Sequence, residues 1–398
     1  MTASSTIPVV TEHRAPAGPG PGPDAAPMPV SGAWRPEDGP GGRHFASLGA
    51  LRLESGAVIE DVQMAYETWG TLDTDGGNAV LVLHALTGDS HVRGPAGEGH
   101  ASAGWWEQMV GPGCPIDTDR WFVIAPNVLG GCQGTTGPSS TAPDGLPWGS
   151  RFPRVTVRDQ VAAERALREQ LGIERWALVI GGSMGGMRAV EWAATHPAEV
   201  QRLAVIASAA RASADQIAWN SAQTAAIESD PGFHDGDYYH LPPGQGPHRG
   251  LGIARRIAHT TYRTAEELET RFANRPQGHE NPLDGYGRHQ VTSYLDHHAT
   301  KLARRFDANS YLTLVRSMNT HDVGRDRGGL EAALAGVRAR TLVVAITSDR
   351  LFPEPLVAET AQHIPGAVLQ RATSPIGHDA FLLAHPGLDR WIGDLLAR

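Results

Sequence analysis

Lysine is almost absent from this chain: among 398 residues Lys301 is the only one, and every other basic side chain apart from histidine is an arginine. That excludes a P-loop, whose Gly-Lys-Ser/Thr sets an ammonium on nucleotide phosphates, and it argues against Schiff-base chemistry, which needs a lysine amine. Only two cysteines occur, Cys114 and Cys132, too few for the disulfide framework of a small secreted fold. No run of 18 apolar residues is present, so no membrane-spanning helix is expected. The start of the chain lacks a basic flank leading into an apolar core, and no signal peptide is expected. A formal net charge of −9 without clustered basic residues argues against a nucleic-acid surface. What remains is a globular chain with 40% hydrophobic residues, expected in the cytoplasm with neither nucleic acid nor membrane as partner.

Residues 1–40 are rich in Pro, Gly and Ala, and such a segment buries too little apolar surface to offset its ordering entropy, so disorder is expected there. Globular patterning begins near His44. The stretches 51–60 and 62–69 alternate around turn residues and read as antiparallel strands. Short apolar runs at 79–83, 121–126, 177–182, 203–207, 341–346 and 368–371 read as buried, mostly parallel strands, with helices expected over 157–171, 186–196 and 388–396. Between about 211 and 325 the chain carries helical patterns and polar loops without a convincing buried strand. The simplest account is an α/β fold whose core, 41–210 and 326–398, is interrupted by a helical insertion at 211–325.

The strand at 177–182 ends in Gly181-Gly182-Ser183-Met184-Gly185 and a helix-like segment follows at once. This is the pattern of a nucleophile elbow, in which a sharp turn lifts Ser183 above the sheet and presents the N–H of Met184 to a developing oxyanion. A dinucleotide-binding turn would need glycine where Ser183 stands. A serine nucleophile in this architecture requires an acid and then a histidine further along. Asp349 follows the strand at 341–346, and His378 lies in the loop after the last strand, beside Gly377. His378 would take the Ser183 proton while Asp349 holds its tautomer. Asp349 could alternatively cap a helix, and His378 could be one ordinary loop histidine among 18. The loop after 79–83 offers the N–H of Leu86 as a second oxyanion donor. His297-His298 and His321-Asp322 lack zinc-hydrolase spacing, and no metal is assigned. Cys132 reads as a small buried thiol.

Several longer runs accompany these residues: His84-Ala-Leu-Thr-Gly-Asp-Ser-His91, 130–140, 152–159, 182–188, 250–262, Arg305-Phe-Asp-Ala-Asn-Ser-Tyr-Leu312, 349–353 and Ile376-Gly-His-Asp-Ala-Phe-Leu382. In them the chain resembles the homoserine O-acetyltransferase family, an α/β-hydrolase-fold group of methionine biosynthesis, and the match runs through nearly the whole globular part. The resemblance implies a helical lid over the site, Ser183 as nucleophile with Asp349 and His378 as its relay, and Leu86 and Met184 as oxyanion donors. It implies further that Arg255 binds the carboxylate of the acceptor amino acid and Asp379 its ammonium, with Thr87 and Tyr262 nearby. An arginine fork suits a carboxylate, though Arg256 leaves a one-residue ambiguity and a lid salt bridge is the plainer role. No cofactor is implied; acetyl-CoA is the co-substrate, L-homoserine the acceptor, and a homodimer joined through the insertion is expected. L-serine as acceptor, succinyl-CoA as donor and plain ester hydrolysis are the alternatives. The departures are the Pro/Gly-rich extension and the polar stretch 240–249, expected to lengthen a loop.

Overall fold

Apolar runs long enough for a strand and too short for a helix form the centre of the fold. In the computed structural model, which describes residues 26–397, they are β1 (His44–Ser47), β2 (Gln63–Trp69), β3 (Ala79–Leu83), β4 (Phe122–Pro126), β5 (Leu178–Gly182), β6 (Arg202–Ile206), β7 (Arg340–Ile346) and β8 (Val368–Ala372). They make one eight-stranded sheet in the order β1-β2-β4-β3-β5-β6-β7-β8, with β2 antiparallel to both neighbours and β3 through β8 parallel. Every residue of β3 and β5 is buried, because helices cover both faces. Successive side chains therefore enter different cores. Leu81, Val179 and Val205 pack with Val161, Trp176 and Trp192 on one side, while Val80, Ile180 and Val344 meet Leu388, Ile392 and Leu395 on the other.

The flanking helices are α1 (Val157–Gln170) and α2 (Met184–Thr195). α1 starts at a capping box: Thr156 Oγ1 accepts the Asp159 N–H and the Asp159 carboxylate accepts the Thr156 N–H, worth about 1 kcal/mol. Between β6 and β7 the chain leaves the sheet for α3 (Ala214–Glu228), α4 (His248–Tyr262), α5 (Ala265–Phe272), α6 (Gln290–Ala303) and α7 (Ala308–Asn319), with α3 packed on α4 and α4 on α6. After α8 (Leu330–Ala335) the core is completed by β7, α9 (Glu354–His363), β8 and α10 (Pro386–Ala397). No helix among the described residues is long and apolar enough to cross a membrane.

Two expectations need correction. The stretch 51–60 is not the partner of 62–69: Leu51–Arg52 folds back on Val58–Ile59 as a small hairpin around Gly56, and β2 pairs instead with His44–Ser47. The expected disorder over 1–40 fails for residues 26–40; residues 1–25 lie outside the described part. Gly32 N–H donates to the Phe306 carbonyl, Trp34 N–H to that of Cys132, and Ser31 Oγ to the Asp307 carboxylate at 2.8 Å. Asp307, fully buried, also accepts the hydroxyls of Tyr238 and Tyr239 and caps α7 through the Ser310 N–H. A few well-placed backbone and hydroxyl bonds anchor a segment whose composition predicts none. The 240–249 stretch is a loop up to Pro247, with His248 and Arg249 in the first turn of α4.

Candidate active site

The elbow between β5 and α2 is possible only because its flanking residues have no side chain. A Cβ on Gly185 would collide with the Leu83 carbonyl, and one on Gly181 with the backbone of Gly185. Ser183 itself takes φ 56°, ψ −126°, an unfavourable backbone state for a residue with a Cβ. Surroundings hold it there: its N–H donates to the Ile206 carbonyl at 3.0 Å and its own carbonyl accepts Ser208 Oγ at 2.7 Å.

All three residues expected to form a relay meet at the C-terminal edge of the parallel strands, where such sheets place their sites. His378 Nε2 lies 2.9 Å from Ser183 Oγ and His378 Nδ1 2.6 Å from Asp349 Oδ2. Asp349 caps no helix, since α9 starts after Pro353. Oδ2 faces His378, while Oδ1 accepts the N–H groups of Leu351 and Phe352 and fixes the loop after β7. The His378 ring is buried, stacked on Phe352 at 5.3 Å and faced by Tyr262 at 5.6 Å. Burial disfavours the charged imidazole, yet the charge and hydrogen bond of Asp349, with Asp379 beside it, outweigh burial and raise its pKa above the ordinary histidine value.

The loop after β3 carries Leu86. The N–H groups of Leu86 and Met184 donate to no protein acceptor among the described residues, as oxyanion donors must. The loop is braced from below. His84 Nε2 accepts the Val128 N–H, its Nδ1 faces the Ala85 carbonyl, and its own carbonyl accepts Arg188 Nη2 at 2.6 Å. Arg188 in turn pairs with Glu164 at 2.6 Å, both fully buried. From the side, Glu67 accepts Ser90 Oγ and His91 Nδ1, and His91 stacks on His100 at 3.7 Å. Glu67, His91 and His100 are close enough to hold a metal ion, a grouping their sequence spacing does not suggest. Gly42 N–H donates to His100 Nε2 and His91 Nε2 faces the carbonyls of Gly94 and Pro95, while His100 Nδ1 is buried without a partner.

The helical insertion carries Arg255 and Tyr262. Arg255 on α4 donates to Thr87 Oγ1 at 3.2 Å and lies 5.7 Å from the Tyr262 ring, whereas Arg256 turns away to pair with Asp296 at 3.1 Å. The salt bridge within the insertion is thus made by Arg256, not Arg255. Asp379 is brought beside His378 but is held by Arg263 at 3.3 Å. Arg263, Arg305 and the Arg188–Glu164 pair were not singled out from sequence; Arg263, Arg305 and Arg188 fall in or beside the runs given earlier, and Glu164, midway along α1, carries no such signal. Cys132 is buried, which pushes its thiol pKa up and leaves it unreactive.

A strand, a strained serine, a carboxylate after β7 and a histidine after β8 define the class: residues 78–384 match the family described as alpha/beta hydrolase fold, and the chain has that fold. Its relatives narrow this further. It is 59% identical over 374 residues to the homoserine O-acetyltransferase of Thermobifida fusca, covering 94% of this chain and 98% of that one. Among solved structures, homoserine O-acetyltransferase from Bacillus anthracis superposes with a TM-score of 0.82 at 26% identity, covering 89% of this chain and 97% of that one. Esterase E22 superposes with 0.81 at 29%, covering 89% and 99%. The chain belongs to the homoserine O-acetyltransferase family of enzymes.

Proposed function

We propose that this protein moves an acetyl group from acetyl-CoA to the side-chain hydroxyl of L-homoserine, giving O-acetyl-L-homoserine and CoA, a step toward methionine. The observation that carries the reading is the unbroken chain Ser183–His378–Asp349 beneath a lid helix that also holds Arg255 and Tyr262. In the first half-reaction Ser183 Oγ attacks the thioester carbonyl as His378 Nε2 takes its proton. The N–H groups of Leu86 and Met184 hold the oxyanion, and the CoA thiolate leaves with the proton from His378. In the second, the homoserine hydroxyl gives its proton to His378 and attacks the acyl-Ser183 ester; collapse releases the product and returns the proton to Ser183.

Transfer competes with hydrolysis through positioning. Arg255 would take the acceptor carboxylate and Asp379 its ammonium, with Thr87 and Tyr262 along its length, so the hydroxyl reaches the acyl-enzyme at high effective molarity while the lid limits water. No cofactor or metal enters this scheme. Two copies are expected to join through the lid helices, in the cytoplasm.

Purified protein mixed with acetyl-CoA should release CoA slowly alone and rapidly with L-homoserine, with O-acetylhomoserine formed in equal amount. Rapid release without any amino acid would favour a hydrolase, a reading that the similarity to esterase E22 keeps in view. A preference for L-serine or succinyl-CoA would change the acceptor or donor.

A further inference from the structure

Two guanidinium groups converge on one threonine beside the pocket. Arg255 Nη1 donates to Thr87 Oγ1 at 3.2 Å and Arg305 Nη2 to the Thr87 carbonyl at 2.7 Å. Like charges so close repel unless an anion sits between them. One carboxylate answers, Asp89, 4.0 Å from Arg305. Arg255 pairs with no carboxylate among the described residues, and its Nε is buried without a partner.

A third cation faces the same place. Tyr294, His298 and Lys301 recur on α6 at spacings of four and three and so share one face of that helix. This face meets α4, for the Tyr294 and His298 rings lie 5.8 and 4.0 Å from the ring of His259. Lys301 is the next position on it, toward Arg305. Lys301 is exposed at the outer end of that face; partial desolvation, then Arg305, then Arg255 act on its ammonium, and all three lower its pKa, with no carboxylate to offset them. Burial followed by Arg255, His297, Arg263 and Lys301 pushes the neighbouring His298 down to about 3. Three cations thus face one carboxylate. A cleft of about 730 Å³ lined by residues 29–35 has no such excess, because Glu37, Asp38 and Glu98 there balance Arg35, Arg304 and Arg305.

The acceptor carboxylate accounts for Arg255, but Arg305 has only Asp89 at 4.0 Å against its charge and Lys301 has no carboxylate at all. We propose that Lys301 and Arg305 form a subsite for the phosphate groups of the CoA-type acyl donor, past which its neutral pantetheine arm runs along Thr87 to Ser183. This rests on the acyl-CoA reading above. The arm is long and carries no charge, so the phosphates stay outside the pocket and meet the cations at its edge. A guanidinium fork with an ammonium point charge suits them.

Because Lys301 is the chain's only lysine, an amine-reactive reagent gives one side-chain adduct, separable from the N-terminal amine by peptide mass spectrometry. Its labelling rate in the full chain should fall when CoA is added and stay unchanged with pantetheine or L-homoserine. Absence of protection by CoA, equal protection by pantetheine, or protection by homoserine alone overturns the subsite. A second measurement uses Lys301→Ala and Lys301→Arg. The KM for acetyl-CoA should rise about tenfold in the alanine variant, equivalent to about 1.4 kcal/mol, and return near the wild-type value with arginine. With S-acetylpantetheine as donor the KM difference between variant and wild type should vanish; an equal rise with both donors would make Lys301 a lid residue only and sink the proposal. CoA release by the wild-type protein judges the acyl-transfer reading separately, so the two can fail independently.

Discussion

His378 sits between burial, which expels its charge, and two carboxylates, which invite it, and the carboxylates prevail. A base with a raised pKa must lose its proton before it can act. Activity in the proposed reaction should therefore fall as pH drops through a value above about 6.5, the unperturbed imidazole value. Asp349→Asn removes the larger of the two raising charges and leaves burial in place. The acid limb of the pH–rate profile should move to lower pH while the maximal rate falls about 10³–10⁴-fold. An unmoved limb would show that another group controls it. Ser183→Ala should abolish covalent acyl labelling by acetyl-CoA; labelled protein surviving the change would place the nucleophile elsewhere.

At the level of elements, the elbow and the loop that faces it are held by backbone contact and one buried ion pair. Gly185→Ala drives a Cβ into the Leu83 carbonyl, and neither the start of α2 nor the end of β3 can yield, so the variant should be recovered insoluble or with its melting transition lost. Glu164→Ala leaves Arg188 buried without its carboxylate. Chemical denaturation should show a loss of about 3–5 kcal/mol, and a loss under 1 kcal/mol would mean that water or another acceptor replaces Glu164. The end of α4 is fastened to the loop bearing His378: Thr264 N–H donates to the Ile376 carbonyl, and a side chain at Gly377 would meet the Tyr262 carbonyl. Arg263 adds the ion pair to Asp379. In Arg263→Gln the freed Asp379 should hold the acceptor ammonium less well. The expected result is a KM for L-homoserine about tenfold higher, with a larger share of acetyl-CoA hydrolysed rather than transferred, measured as CoA released against O-acetylhomoserine formed. An unchanged partition would confine Arg263 to fastening the lid.

For the whole molecule, the helical insertion is what the proposed acceptor site adds to the hydrolase core, since α4 and its C-cap carry Arg255, Tyr262 and Arg263. Its outer surface leaves Ile217 on α3 and Ile253 on α4 exposed, consistent with the proposed contact between two copies. Sedimentation should accordingly report close to twice 42.4 kDa, and Ile253→Asp should lower the mass toward a single chain.

The strands of the parallel core, the elbow and the order Ser183, Asp349, His378 were legible in the sequence because each depends on a local pattern: apolar runs bounded by glycine, small residues around a serine, polar residues at strand ends. Tertiary structure decided what local pattern does not contain. The partner of β2 lies across a hairpin that its own alternation concealed, and the anchorage of residues 26–40 depends on Asp307 and Phe306, far along the chain. Arg255 and Arg256 differ in role because successive helical residues point about 100° apart, so only the seating of α4 tells which one faces Thr87. Arg305 reaches that threonine across 218 positions of sequence. Composition and short-range periodicity specify which residues could carry chemistry; the convergence of Arg255 and Arg305 on one threonine is settled by the path of the chain through the helical insertion.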